Sequence, residues 1–128
     1  MYKIINAKDF IKARPSGVTD LEDSKKTLIE LAMIAGLSPD YHILSDIRDS
    51  YGNLTQDELN QLILVLVEHR EFFKNKIALL TRNDEQFNLA TFFEICGNIE
   101  GFNIAAFTDY KKAANWLNSD GGLEELFE

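Results

Sequence analysis

Only one of the 128 residues is a cysteine, so no internal disulfide can hold this chain together. That residue, Cys96, sits among Leu89, Phe92, Phe93 and Ile99 at helical spacing, which marks it as a core side chain; burial away from cations raises a thiol's pKa and keeps it unreactive. Histidine is nearly as scarce. His42 and His69 share no ligand spacing with each other or with Cys96, and no metal site is expected. The longest unbroken apolar run, Leu62 to Val67, is far short of the roughly 20 residues of a membrane-spanning helix, so no membrane insertion is expected. The start, MYKIINAKDFIKARP, mixes charges into its apolar residues and lacks the features of a secretory signal, which makes a cytoplasmic location the expectation. Missing too are a serine elbow, a glycine-rich phosphate loop after a strand, and a histidine beside a nucleophile. The chain is therefore expected not to be an enzyme and to need no cofactor.

Positive charge is also in short supply. Thirteen Lys and Arg stand against 21 Asp and Glu, a net charge of −8, so long-range electrostatics oppose nucleic acid and anionic lipid headgroups. The imbalance is local. Lys3, Lys8, Lys12 and Arg14 face Asp9 alone near the start, while Asp120, Glu124, Glu125 and Glu128 crowd the last residues. Residues 119–128, which include the diglycine Gly121-Gly122, read as an acidic, flexible tail, and residues 1–118 as one domain of a size that buries a real core.

What is present is a regular alternation of β-prone and helical stretches. Tyr2 to Ile5 and Phe10 to Arg14, split by a turn-like Asn6 to Asp9, predict an N-terminal hairpin. Thr19-Asp-Leu-Glu22 has the spacing of a capping box, and the helix it opens should close at Gly36 in a left-handed position. His42 to Ile47 reads as a buried strand and Asp49 to Asn53 as a turn. Thr55-Gln-Asp-Glu58 caps a long helix from Leu54 to about Phe73, whose six consecutive apolar residues exceed one stripe and ask for a second contact. Ile77 to Leu80 and Phe102 to Phe107 predict two more buried strands. Between them a helix runs from Asp84 to about Gly101, with Gly97 marking either an interruption or a close approach; Thr108-Asp109 caps a last helix that shares Tyr110, Ala113, Trp116 and Leu117 on one face. Crossovers of helical length imply parallel strands, and the whole predicts a single-domain α/β fold: a mixed sheet with an antiparallel N-terminal hairpin and a parallel remainder, covered by about four helices. Periodicity alone also permits a flavodoxin-like or receiver domain. A receiver would need an acidic pair after the first strand and a lysine after the last, where this chain has Asn6-Ala7 and Thr108-Asp109.

Several of these segments together carry a family resemblance. Gly17-Val18-Thr19-Asp20, the strand Ile43-Leu44-Ser45-Asp46-Ile47-Arg48, the strand Lys76-Ile77-Ala78-Leu79-Leu80, and Phe107-Thr108-Asp109 leading to Ala113-Ala114-Asn115-Trp116-Leu117 resemble the SpoIIAA-like, or STAS-like, family. The resemblance implies the fold of the anti-sigma-factor antagonists and of the cytoplasmic domains of sulfate transporters, in regulatory or binding modules without catalytic activity. In that family a phosphorylation motif, Asp-Ser-Ser/Thr-Gly, follows the corresponding strand. Here the tetrad is Asp49-Ser50-Tyr51-Gly52, with tyrosine at the acceptor position, which leaves Ser50 as the candidate phospho-acceptor.

Two further surfaces are candidates for function. Ligands of open α/β sheets gather beyond the C-terminal ends of the strands, where Arg48, Asp49, Ser50, Arg82 and Asp84 could hold a small anionic ligand; the aspartates equally suit helix caps and the arginines equally suit ion pairs. The surplus apolar residues Ile63, Leu64 and Val67 could form an interface with a protein partner or a second copy, or be buried between a sheet and a neighbouring helix.

Overall fold

The fold grows from one five-stranded sheet in this computed structural model, which describes residues 2–7, 10–52 and 54–118. The turn residues Lys8 and Asp9 and the expected flexible tail over residues 119–128 lie outside the described residues. Strands β1 (Tyr2–Ala7) and β2 (Phe10–Pro15) form the antiparallel hairpin, with Tyr2 opposite Pro15 and Ala7 opposite Phe10. Then β4 (His42–Asp46), β6 (Lys76–Leu80) and β7 (Asn103–Phe107) add in parallel, giving the order β1-β2-β4-β6-β7. The mixed sheet is thus the one expected. A second, two-residue parallel pair was not expected: β3 (Gly17–Val18) runs beside β5 (Ser50–Tyr51). The stretch from Asp49 read as a turn is therefore partly strand, held because Gly17 N–H donates to Asp49 O at 3.0 Å and Thr19 N–H to Tyr51 O at 2.7 Å. Gly52 is needed where this pair ends: its φ is +132°, and a Cβ there would run into the Thr19 carbonyl.

Successive strand residues point to opposite faces, and the two faces have separate cores. Ile11, Ala13, Ile43, Ile77, Leu79 and Ile104 point to one side, where α1 (Leu21–Leu37), α2 (Gln56–Glu68) and α3 (Glu85–Ile99) lie. Phe10, Leu44, Ala78, Leu80, Ala105 and Phe107 point to the other, where α4 (Tyr110–Leu117) packs Ala113, Trp116 and Leu117. Within the three-helix layer α2 is the middle member, touching both α1 and α3. That position explains its surplus: Leu62, Ile63, Val65 and Leu66 are all buried because the helix meets neighbours on three sides. A single 3-10 turn, Arg70–Phe72, follows α2 where one longer helix was expected.

Helix ends follow the caps with two corrections. The box opening α1 lies one residue later than expected, with Asp20 and Asp23 bonding each other's backbone N–H, while the Thr19 hydroxyl turns instead to Ser50 Oγ at 2.9 Å. Gly36 stays inside α1 rather than ending it; a Cβ there would sit 3.2 Å from the Phe72 ring, so close approach is its role. Thr55 and Glu58 cap α2 as expected, and Asp84 and Asp109 cap α3 and α4. Gly97 leaves α3 unbroken and lets it settle on β7, since a Cβ there would run into the Ile104 side chain. The glycine costs the helix up to ~1 kcal/mol relative to alanine and is kept by that contact.

Candidate functional site

Beyond the C-terminal ends of β4 and β6 stand the five residues expected to hold an anion, and their charges are paired: Arg48 with Asp46, Asp49 with Arg14, and Arg82 with Asp84. Asp46 is 1% exposed and accepts two side-chain hydrogen bonds from Arg48, Nε to Oδ1 and Nη2 to Oδ2, both 2.9 Å long. The Arg48 backbone N–H adds a third at 3.2 Å, and Arg14 Nε lies 3.8 Å away. Burial pushes the Asp46 carboxyl up, but the Arg48 hydrogen bonds and the charges of Arg48 and Arg14 outweigh it, and the pKa settles below the ordinary carboxylate value. Asp49 pairs with Arg14 at 3.1 Å.

Arg82 is equally occupied. Its Nε donates to Asp84 Oδ2 at 3.0 Å, its Nη1 donates to the carbonyls of Ser50, at 3.0 Å, and Arg48, and its guanidinium lies 4.9 Å from the centre of the Tyr51 ring. Gln86 completes the clasp by donating to the Ile47 carbonyl at 2.6 Å. Carbonyls that turn away from the sheet need partners, and here Arg82 of the β6–α3 connection and Gln86 of the first turn of α3 supply them. The site is a clasp around residues 47–51, and an anion would have to displace carboxylates already in place. Ser50 sits within β5 with its hydroxyl on Thr19, ahead of the α2 terminus, whose cap is already filled by Thr55.

The expected interface residues separate. Ile63 is buried against α3 and β7, Val67 is half-buried against the same core, and Leu64 is 59% exposed. Ile63 is thus a core residue, because α2 is flanked on both sides, and of the three only Leu64 stands free in the outer face. The two histidines serve the backbone: His42 Nδ1 accepts from Lys76 N–H at 3.0 Å, and His69 Nδ1 lies 2.9 Å from the Val65 carbonyl. Among the described residues no group of three His, Cys, Asp or Glu could hold a metal ion, and no helix is long and apolar enough to cross a membrane.

Beneath the three helices lies a feature that sequence reasoning missed, a cavity of about 180 Å³. Its floor is the helix-facing side of β4 and β6, with Ile43, Ser45, Ile77 and Leu79, and Leu31, Leu62, Leu66 and Phe73 enclose its inner end. Pro15, Thr19, Ser24, Ser50 and Gly52, all partly or fully exposed, form its mouth beside the clasp. One signal for it was in the chain: Ser45 follows Ile43 at the two-residue spacing that puts a hydroxyl on the helix-facing side of β4.

No family model matches the chain, and no curated protein matches it by sequence. A solved structure does resemble it: an uncharacterized DUF3478-family protein with a SpoIIAA-like fold from Shewanella loihica PV-4, 20% identical, with a TM-score of 0.60 over 91% of this chain and 92% of that one. The chain has a SpoIIAA-like fold, as the sequence resemblance implied.

Proposed function

We propose that this chain is a non-enzymatic, cytoplasmic regulatory module that works by protein contact through the outer face of its three-helix layer. One observation carries the reading. Met33 and Leu37 of α1, Leu64 of α2, and Ile95 and Ile99 of α3 are all more than half exposed, although they are large apolar side chains. Single exposed leucines are ordinary, but five such residues on one layer form the kind of surface that partner proteins cover. The strand ends support the non-enzymatic part, since their arginines and carboxylates are paired in a clasp instead of being presented to a substrate. The same pairing argues against the anionic-ligand alternative.

The test uses Leu64→Lys combined with Ile99→Lys, two surface changes expected to leave stability within about 0.5 kcal/mol. If the partner is a second copy, the wild type sediments as a dimer at tens of micromolar and the double variant as a monomer. If it is another protein, a photo-crosslinker at position 64 yields a defined adduct in the native host that Ile99→Lys abolishes. A monomeric wild type that forms no adduct would sink the reading.

A further inference from the structure

We propose that the cavity beneath the helices is a binding site for a small uncharged amphiphile, a narrow apolar body carrying a hydroxyl head that Ser45 and the mouth hydroxyls receive. Size comes first. At about 180 Å³ the cavity exceeds the ~150 Å³ apolar hole that is known to admit benzene. Its wall follows β4 from Ile43 to Ile47, a length of about 13 Å at ~3.3 Å per residue, so it is long relative to its volume and suits an alkyl chain better than a fused ring system.

Polarity is graded along that length. The inner end, with Leu31, Leu66, Phe73 and Ile77, offers only hydrocarbon. Ser45 lies further out, half-buried, and its hydroxyl enters none of the side-chain hydrogen bonds among the described residues. A serine hydroxyl both donates and accepts, so it can pair with a ligand hydroxyl in either direction. A residue serving only packing at this position would be valine or isoleucine, which strands favour and which would close part of the hole. Beyond Ser45 come Ser24 and the Thr19–Ser50 hydroxyl pair.

Charge selects the head group. No lysine or arginine lines the cavity, and its one ionisable lining residue is Asp23, at the mouth. A carboxylate or phosphate head would be partly desolvated beside a like charge with no cation to offset it. A neutral hydroxyl meets no such penalty. This inference is independent of the outer helix surface, and Leu64→Lys should leave it untouched.

Isothermal titration of the full chain with 1-octanol and with octanoate at pH 7 separates the possibilities. Saturable 1-octanol binding is expected, with octanoate at least tenfold weaker. Ser45→Ala, which keeps the cavity and removes the hydroxyl, should weaken 1-octanol about fivefold, the effect of one hydrogen bond. Ala90→Leu, which fills the void from α3, should weaken it by tenfold or more; the comparison of the two probes on the wild type stands even if that variant does not fold. Octanoate binding as tightly as 1-octanol would overturn the neutral head. An unchanged affinity in Ser45→Ala would overturn the anchoring role of Ser45, and no saturable binding of 1-octanol would overturn the site.

Discussion

The two sides of the sheet solve the same problem differently. On one side, among the described residues, a single short helix covers the strands: α4 lays Trp116 against Phe107 with ring centroids 5.6 Å apart, Lys76 donates to the Trp116 carbonyl at 2.8 Å, and Ala78 and Ala105 share its buried cluster. On the other side three helices cover the strands and still leave about 180 Å³ unfilled. None of the cavity's lining residues belongs to the α4 core. One face is closed by eight helical residues, while a much larger layer leaves a hole, and it is this difference that the proposed ligand site rests on.

The largest test of that contrast is Trp116→Ala. It removes the centre of the smaller core and should destabilise the domain by about 3–5 kcal/mol, read from the shift of a urea unfolding midpoint. A smaller effect is expected from one chemical change made on both sides. Ala78→Val adds two carbons to a site with no spare volume, 0% exposed, and should cost about 1–3 kcal/mol despite valine's preference for strands. Ala90→Val adds the same atoms toward the cavity, where burying two methyl groups gains more than the ~0.5 kcal/mol of lost helix propensity, so stability should hold or rise by about 1 kcal/mol. Equal losses at both positions would show that the helix side is as tightly packed as the other.

The smallest effect concerns the clasp at the strand ends. Asp46 has a lowered pKa, and so do two exposed caps: Asp84, through the Gln86 backbone N–H and then Arg82, and Asp20, through the Asp23 backbone N–H. A carboxyl whose folded pKa lies below its unfolded value stabilises the fold above that unfolded value, near pH 4, and loses this contribution as pH falls through the folded pKa. Stability should thus be level from neutrality to about pH 5 and decline below pH 4. Asp46→Asn should be less stable at neutrality and show a shallower acid decline; an identical acid slope in that variant would remove Asp46 from the account.

Most of this architecture was legible from the chain because it rests on local signals. The continuous apolar run Ile77 to Leu80, the Thr55 and Glu58 box, and the shared face of Ala113, Trp116 and Leu117 each report on a few neighbouring residues. What escaped depends on distant partners. The pairing of Gly17–Val18 with Ser50–Tyr51 is written in backbone hydrogen bonds that no side-chain period encodes, and the shift of the α1 cap to Asp20 follows from the claim of Ser50 on Thr19. The strand-end residues carry the charges read from the chain, but the reach of Arg82 back to the carbonyls of residues 48 and 50 could not be read there. The burial of Ile63 required knowing that α2 is the middle helix, and the cavity depends on how three helices rest on two strands.

The central claim is that the helix side of the sheet holds a receptive cavity and the α4 side does not. Methyl-resolved NMR of leucine-labelled protein during a 1-octanol titration tests it directly. Saturable shifts are predicted for Leu31, Leu62, Leu66, Leu79 and Leu89, which line the cavity, while Leu44, Leu80 and Leu117 of the α4 core stay still. Shifts spread equally over both sets, or none in the first, would contradict the claim.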